Sequence, residues 1–412
     1  MERRYELFLQ ALRAALADRE ADWGPEVSAE EVLQVLDLAQ EHHVLPLVFQ
    51  AVYNCPGALE LAPEIYGECK QATVQTVMTQ TIKTEEFLEL NRHLLAQGVK
   101  PLVVKGIVCR SLYPQPDHRY SGDEDVLCGE EQFPACHSAM LSFGMEPGGP
   151  GLEPYEVPYR KEGSPLYIEL HKTLFARDHD VFSECNLLFA DAFQRAVALE
   201  VQGQPVYTLC PTDHMLYLIV HALKHFLHSG FGIRQVCDMM LFANHYDSQI
   251  DWPYIFEKCQ SLHAEVFAAA LLQIGTKYLL NPAPGAAWPR FWAEISVDEN
   301  ALLGDLLYGG IYGASDRSRV HSSNMTLNAA AADKRGKKAR GNVFRTIFPS
   351  ARSISGRFPY LRRHPYLLPV AWTCRIFGYA KESITDPNSA ASEVIRTGEQ
   401  RIELLRQYHI IE

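Results

Sequence analysis

The chain has 412 residues, of which 47% are hydrophobic and 21% charged, and its formal net charge is −12. That length and apolar content suffice for one large or two ordinary cores, which excludes a disorder-dominated protein. The acidic balance excludes general affinity for nucleic acid, because a polyanion is repelled unless a local basic patch receives it. Charge interrupts the apolar residues of the first ten positions, so neither a signal peptide nor an 18-residue apolar run is expected there. Ten cysteines without a Cys-x-x-Cys pair read as buried thiols in a reducing compartment, and the expectation is a cytoplasmic protein.

In chain order, residues 1–99 read as a helical region. Leu7, Leu12 and Leu16 recur at helical spacing, and Ser28-Ala-Glu-Glu31 has the form of a capping box ahead of Val32, Val35 and Leu36. A long helix over Glu64 to Gln97 ends at Gly98, which suits a helix C-cap. Residues 100–210 shift to short apolar runs between Gly and Pro. Leu102 to Val104, Asp125 to Leu127, Tyr155 to Tyr159, Tyr167 to Leu170 and Val206 to Leu209 predict strands, with Phe133 to Phe143 helical between them. Residues 211–312 return to helices, broken at Gly230-Phe-Gly232 and near Ser261. Residues 313–343, rich in Ser, Ala, Asn, Lys and Arg, predict a flexible basic linker, and residues 344–412 a C-terminal helical segment. The fold class expected is α+β: a small mixed sheet forming a catalytic core within a mainly helical chain.

The chemistry concentrates between Pro101 and His171. On a strand, Asp123 and Asp125 share one face and Glu124 points to the other. Alone, Asp-x-Asp in Gly122-Asp-Glu-Asp is more often a surface turn. A second alternating run, Tyr167-Ile-Glu-Leu-His171, offers Glu169 and His171 on one face. Three carboxylates from two neighbouring strands could hold two Mg²⁺ ions with positions open for phosphate, the arrangement of a phosphoryl or nucleotidyl transfer site. Lys105-Gly106 ends the first strand, where glycine permits close backbone approach to phosphate. Arg119 could bridge to a triphosphate or be a solvated loop arginine.

The order Lys-Gly, Tyr-Pro, Arg, Asp-x-Asp and Glu-x-His resembles the uncharacterised nucleotidyltransferase family of bacteria, within the DNA polymerase beta superfamily. The resemblance continues in His221-Ala-Leu-Lys224-His225, Ile233-Arg234-Gln-Val-Cys-Asp238 and Asp251-Trp252, and more weakly in His364 to Trp372. It implies that Asp123, Asp125 and Glu169 are catalytic and ligate Mg²⁺ or Mn²⁺. It also implies that Lys105, Gly106, Arg119, His171, His221, Lys224 and His225 line the cleft for a nucleoside triphosphate, taken as ATP, with Asp238 orienting His221, Lys224 or His225, or pairing Arg234. The chain departs from the family at Glu124, usually apolar, and at Gly106-Ile107, where the superfamily has Gly followed by Gly or Ser. A charge on the sheet's back face requires either exposure of the strand or a partner for Glu124.

His214, His221, Lys224, His225 and His228 fall on one helix face at spacings of three, four and seven, but no nearby Cys or acid completes a zinc tetrahedron. Residues 333–382 hold twelve Lys and Arg against two acids, interleaved with aromatics. That composition fits an anionic partner (RNA, a membrane face or the triphosphate itself) or a solvated loop before a packed helix. The expected activity is transfer of a nucleoside monophosphate to a hydroxyl or phosphate acceptor on a small molecule or a protein. The alternative is a non-catalytic binding module built on the basic segment.

Overall fold

The computed structural model describes residues 1–148, 155–177, 181–309, 317–334, 351, 354, 358–374 and 391–412. The chain divides into two compact units, the first comprising Met1–His221, Ile233–Lys258 and Ala269–Ser296, the second Ala222–Gly232, Cys259–Ala268 and Val297–Glu412.

In the first unit, helices α1 (Arg3–Leu16), α2 (Ala29–Glu41) and α3 (Leu45–Val52) bury their apolar stripes against one another, with the short α4 (Pro56–Leu59) beside them. The capping box forms as its sequence predicts. The Ser28 hydroxyl accepts from the Glu31 N–H, and the Glu31 carboxylate accepts from the Ser28 N–H. Helix α5 (Pro63–Ala96) follows, and Gly98, at φ +76°, terminates it.

The sheet is mixed and seven-stranded, in the order β3-β4-β5-β2-β1-β7-β6. Its strands are β1 (Leu102–Val103), β2 (Glu124–Leu127), β3 (Glu146–Pro147), β4 (Glu156–Arg160), β5 (Tyr167–His171), β6 (Val197–Val201) and β7 (Gln204–Thr208). Periodicity had pointed to five of them; the two-residue β3 and the mostly exposed β6 lack the apolar run that would announce them. Strands β2 and β5 run parallel, with Asp125 opposite Glu169 and Leu127 opposite His171. Apolar side chains from α5, from α7 (Gly129–Ser142) and from the strands form one core, including Phe87, Leu94, Val103, Val126, Met140, Ile168 and Leu170. This architecture is the α+β arrangement expected, a mixed sheet within a mainly helical chain.

Helix α8 (Pro211–Leu227) runs from the first unit into the second. Within the second unit, α10 (Arg317–Asp333) packs along the C-terminal helix Ala391–Gln407. The sequence expectation of a linker from residue 313 to 343 is therefore corrected over Arg317–Asp333, which is helical; residues 335–343 lie outside the described residues. Composition misled because the stretch has few large apolar residues. Small ones suffice here: Ala329 and Ala330 are buried, and a Cβ on Gly398 would sit 2.4 Å from Met325 Sδ, so the helices cross closely. Most of the basic segment 333–382 also lies outside the described residues. In its described part, Phe358, Tyr360 and Trp372 pack on a small cluster of Ile354, Leu361 and Ala371.

Candidate active site

The parallel pairing of β2 with β5 puts acid opposite acid, and neighbouring strands lie about 4.8 Å apart, so the two carboxylates meet. Ligand atoms of Asp125, Glu169 and His171 all lie within 4.8 Å of one another. His171 Nε2 is 3.0 Å from Asp125 Oδ1 and 3.9 Å from Glu169 Oε2. On the other side of the ring, Nδ1 is 3.5 Å from Glu156 Oε2, on β4. Lys105, just past β1, places Nζ 2.7 Å from Asp125 Oδ2 and 3.2 Å from His221 Nε2.

The electrostatics divide the two acids. Burial alone would push Asp125 up, but Lys105 and then His171 hold it well below the usual carboxylate range. Glu169 is pushed up to about 7, first by burial and then by the charges of Asp125, Asp123 and Glu156. Two carboxylates and an imidazole gathered at this separation, one acid raised by its neighbours' negative charge, are donors that fit a hard divalent cation. Asp123 stands just ahead of β2, half-buried, with its backbone carbonyl accepting from Ser121 Oγ at 2.6 Å. It acts on Glu169 through its charge and is not among the three groups whose ligand atoms lie within 4.8 Å of one another.

The back of β2 carries the departure noted at Glu124. This residue is fully buried and paired: Arg110 donates to Oε1, the Ile107 N–H donates to Oε2 at 2.7 Å, and Lys83 Nζ lies 3.9 Å from Oε1. Lys83 and Gln80, both on α5, donate to the Ser121 carbonyl, and Gln80 Oε1 accepts from Arg110 and from the Ser121 N–H. Burial lowers Lys83 to about 8, with Glu124 opposing the fall. The structure gives Gly106 a second reason to be glycine. It has φ +51°, and a Cβ there would fall 1.6 Å from Glu124 Oε2. The close approach at Gly106 is thus made by a carboxylate of the chain itself, which also takes the free N–H of the helical turn Ile107–Arg110 (α6). Gly106→Ala is expected to lower stability by at least the roughly 1–3 kcal/mol of strain at a left-handed non-glycine residue, read as a fall in the denaturant midpoint; an unchanged midpoint would remove this account.

The other candidate residues separate. Arg119 is buried and gives Nε and Nη2 to the two oxygens of Asp238 at 3.0 and 2.7 Å, and Tyr113 also donates to Asp238 at 2.8 Å. Asp238 therefore pairs Arg119 rather than Arg234, which donates to the Tyr120 carbonyl. Arg119 is neither the solvated loop arginine nor a group turned outward to a triphosphate; the ion pair ties the loop before β2 to α9 (Arg234–Tyr246). His221 stands beside Lys105, and Lys224 and His225 follow it within one turn of the same helix. His214 is core: it is fully buried, with Nδ1 3.1 Å from Thr208 Oγ1, and burial lowers it to about 4. Sequence reasoning missed Glu156, Lys83, Gln80 and Arg110. The available signal was Glu124 itself, since a carboxylate on the covered face of a strand demands buried donors.

No curated protein and no solved structure matches the chain. The family model described as uncharacterised nucleotidyltransferase matches residues 28–279, more than half of the chain, and that stretch contains the whole sheet together with Lys105, Asp123, Asp125, Glu169, His171 and His221. With the acids of β2 and β5 facing one another inside the matched region, the chain belongs to the uncharacterised nucleotidyltransferase family, a membership that supports a general role in nucleotidyl transfer.

Proposed function

We propose that the protein is a metal-dependent nucleotidyltransferase that moves a nucleoside monophosphate from an NTP, ATP in the first instance, to a hydroxyl or phosphate acceptor. The observation that carries this reading is the register of β2 and β5, which brings Asp125, Glu169 and His171 together beside Lys105. Asp125 and Glu169, with Asp123 at the entrance, would hold Mg²⁺ or Mn²⁺. Such an ion, when bound, neutralises phosphate charge and makes an acceptor hydroxyl more acidic. Lys105, beside Asp125, offers its ammonium to the phosphates, and His171, held between Glu156 and Asp125, fixes the orientation of the acids. The acceptor oxygen bonds to the α-phosphorus while the bond from that phosphorus to the bridging oxygen breaks, and pyrophosphate leaves. Glu169, more exposed than Asp125, takes the proton of a hydroxyl acceptor.

Purified protein incubated with each α-³²P-labelled NTP, Mg²⁺ or Mn²⁺ and a cell lysate is expected to give a labelled product and an equal amount of pyrophosphate. Label in the protein fraction identifies a protein acceptor, and label in the small-molecule fraction a metabolite. Transfer from γ-labelled NTP alone would overturn the reading, since the bond broken would then be the wrong one.

The acids also set a pH dependence. Glu169 has a folded value of about 7 against an ordinary 4.5, so between these values the fold retains a proton that the unfolded chain loses. Its contribution to stability is fully present below the ordinary value and is lost as pH rises through about 7. A cation that ligates Glu169 displaces that proton. Apparent Mn²⁺ affinity is therefore expected to climb about tenfold per pH unit below 7 and to level off above it. Calorimetry at pH 6 in two buffers of different ionisation enthalpy checks this: close to one proton should be released per site, and none would remove Glu169 from the ligand set.

A further inference from the structure

We propose that α5 is the contact between two copies of the chain, packed antiparallel about a two-fold axis that passes Met78. The second half of α5 is buried against the sheet, but Val74, Met78 and Ile82 are 48, 60 and 44% exposed. At a hundred degrees per residue these three fall within one narrow face of the helix. They make a contiguous apolar stripe that no described residue covers, and large apolar side chains grouped this way mark interaction surfaces.

The choice of occupant rests on charge order along the same face. Placing Met78 against its own copy in the antiparallel sense puts Val74 opposite Ile82, because the two are equidistant from Met78. The same operation sets Glu64 opposite Arg92 and Lys70 opposite position 86, one residue from Glu85, which a lysine side chain reaches; Lys70, Glu85, Glu64 and Arg92 are all exposed. Both charge pairs then meet with opposite sign. The parallel arrangement would set Lys70 against Lys70 and Glu85 against Glu85, which repels. An isologous two-fold contact requires this kind of self-complementarity, in which each residue meets its counterpart on the other copy. An anionic membrane fits the face less well, since Glu64, Glu85 and Glu89 border it. Arg92 donates to Gln204 within its own chain through Nε, leaving its terminal nitrogens for the partner carboxylate.

Sedimentation velocity of the full chain from about 1 to 100 µM at low salt tests the inference, in a range suited to a contact smaller than a standard interface. The wild type is expected to shift from one to two chain masses. Met78→Glu, which brings two carboxylates together on the axis, should raise the dimer Kd by about 100-fold or more. Lys70→Glu should raise it by about tenfold, and Lys70→Glu with Glu85→Lys should return it to within about threefold of wild type, since the pair is re-formed with its signs exchanged. All these positions are exposed, and unchanged thermal midpoints will show that the variants fold. A chain that stays monomeric throughout overturns the proposal, as does a dimer indifferent to Met78→Glu or a double exchange that fails to restore the dimer. Vesicle binding by a monomer, lost in Met78→Glu, would assign the stripe to lipid instead. None of these outcomes depends on the transferase reading, whose own test is labelled product.

Discussion

Asp125→Asn is expected to reduce nucleotidyl transfer by about a thousandfold or more while leaving the protein folded, because the change removes one negative charge from the position on which the other groups converge. Lys105 approaches Oδ2 and His171 approaches Oδ1 of this carboxylate, and the parallel register places Glu169 directly across from it. The amide keeps the shape and one acceptor oxygen, so packing on β2 is retained, and Lys105 still has His221 within 3.2 Å. The lost charge is the one that Lys105 and the hydrogen bond with His171 hold well below the usual carboxylate range, and hence one that is ionised at neutral pH. Mn²⁺ affinity should fall with activity, measured on the same preparation by calorimetry and by release of pyrophosphate from NTP. A variant that folds, binds Mn²⁺ as the wild type does and turns over within tenfold of it would place the chemistry elsewhere on the chain. Asp123→Asn makes a useful comparison. Asp123 lies outside the tight group and acts on Glu169 through its charge, so its loss should lower the elevated value of Glu169 as well as the rate.

The part of this site that was legible in the sequence is the part written with a period of two. A spacing of two puts the polar side chains of Asp-x-Asp and of Glu-x-His on one face of a strand, where they converge if the strands are neighbours; Asp125, Glu169 and His171 do so, while Asp123 stands ahead of β2 and outside the group. The topology meets that condition, since β2 and β5 pair although about forty residues separate them. The groups that support the acids were not legible, because long-range pairing leaves no local pattern. Glu156 is an ordinary strand glutamate until β4 pairs with β5 and brings it opposite His171. Lys83 and Gln80 sit among many polar residues of a 34-residue helix, and only the direction in which that helix packs turns them inward. Arg119 stands beside the acids in sequence, which invited a phosphate role, yet its partner Asp238 comes from a helix more than a hundred residues later. For α10 the obstacle was composition. Ala and Ser read as linker, yet they pack well where two helices cross closely.

The largest loss of stability is expected at Glu124, the residue that sequence alone marked as out of place. Glu124→Ala would leave the Arg110 guanidinium and the Lys83 ammonium buried without their carboxylate, and the Ile107 N–H without its acceptor. Removing one member of a buried ion pair costs about 3–5 kcal/mol, mostly from the uncompensated charge left behind. Lys83 gives the loss a pH signature. Its folded value of about 8 lies below the ordinary 10.5, so the fold binds this proton less readily than the unfolded chain, and its contribution to stability rises with pH through that window. The Glu124 carboxylate does most to hold Lys83 up against burial, so without it the value falls further and the window opens at lower pH. The deficit of Glu124→Ala should therefore be larger at pH 6 than at pH 9, where Lys83 is already largely neutral in both proteins and only Arg110 and the Ile107 N–H still lack their partner. Guanidinium titrations at the two pH values measure it. Glu124→Leu combined with Arg110→Met should recover part of the loss, because apolar side chains of similar volume replace a buried charge pair at little cost. A deficit under 1 kcal/mol at both pH values would mean that water reaches these groups. Gly106→Ala should then keep only the roughly 1–3 kcal/mol cost of its φ of +51° and lose the added clash with the carboxylate in the same measurement.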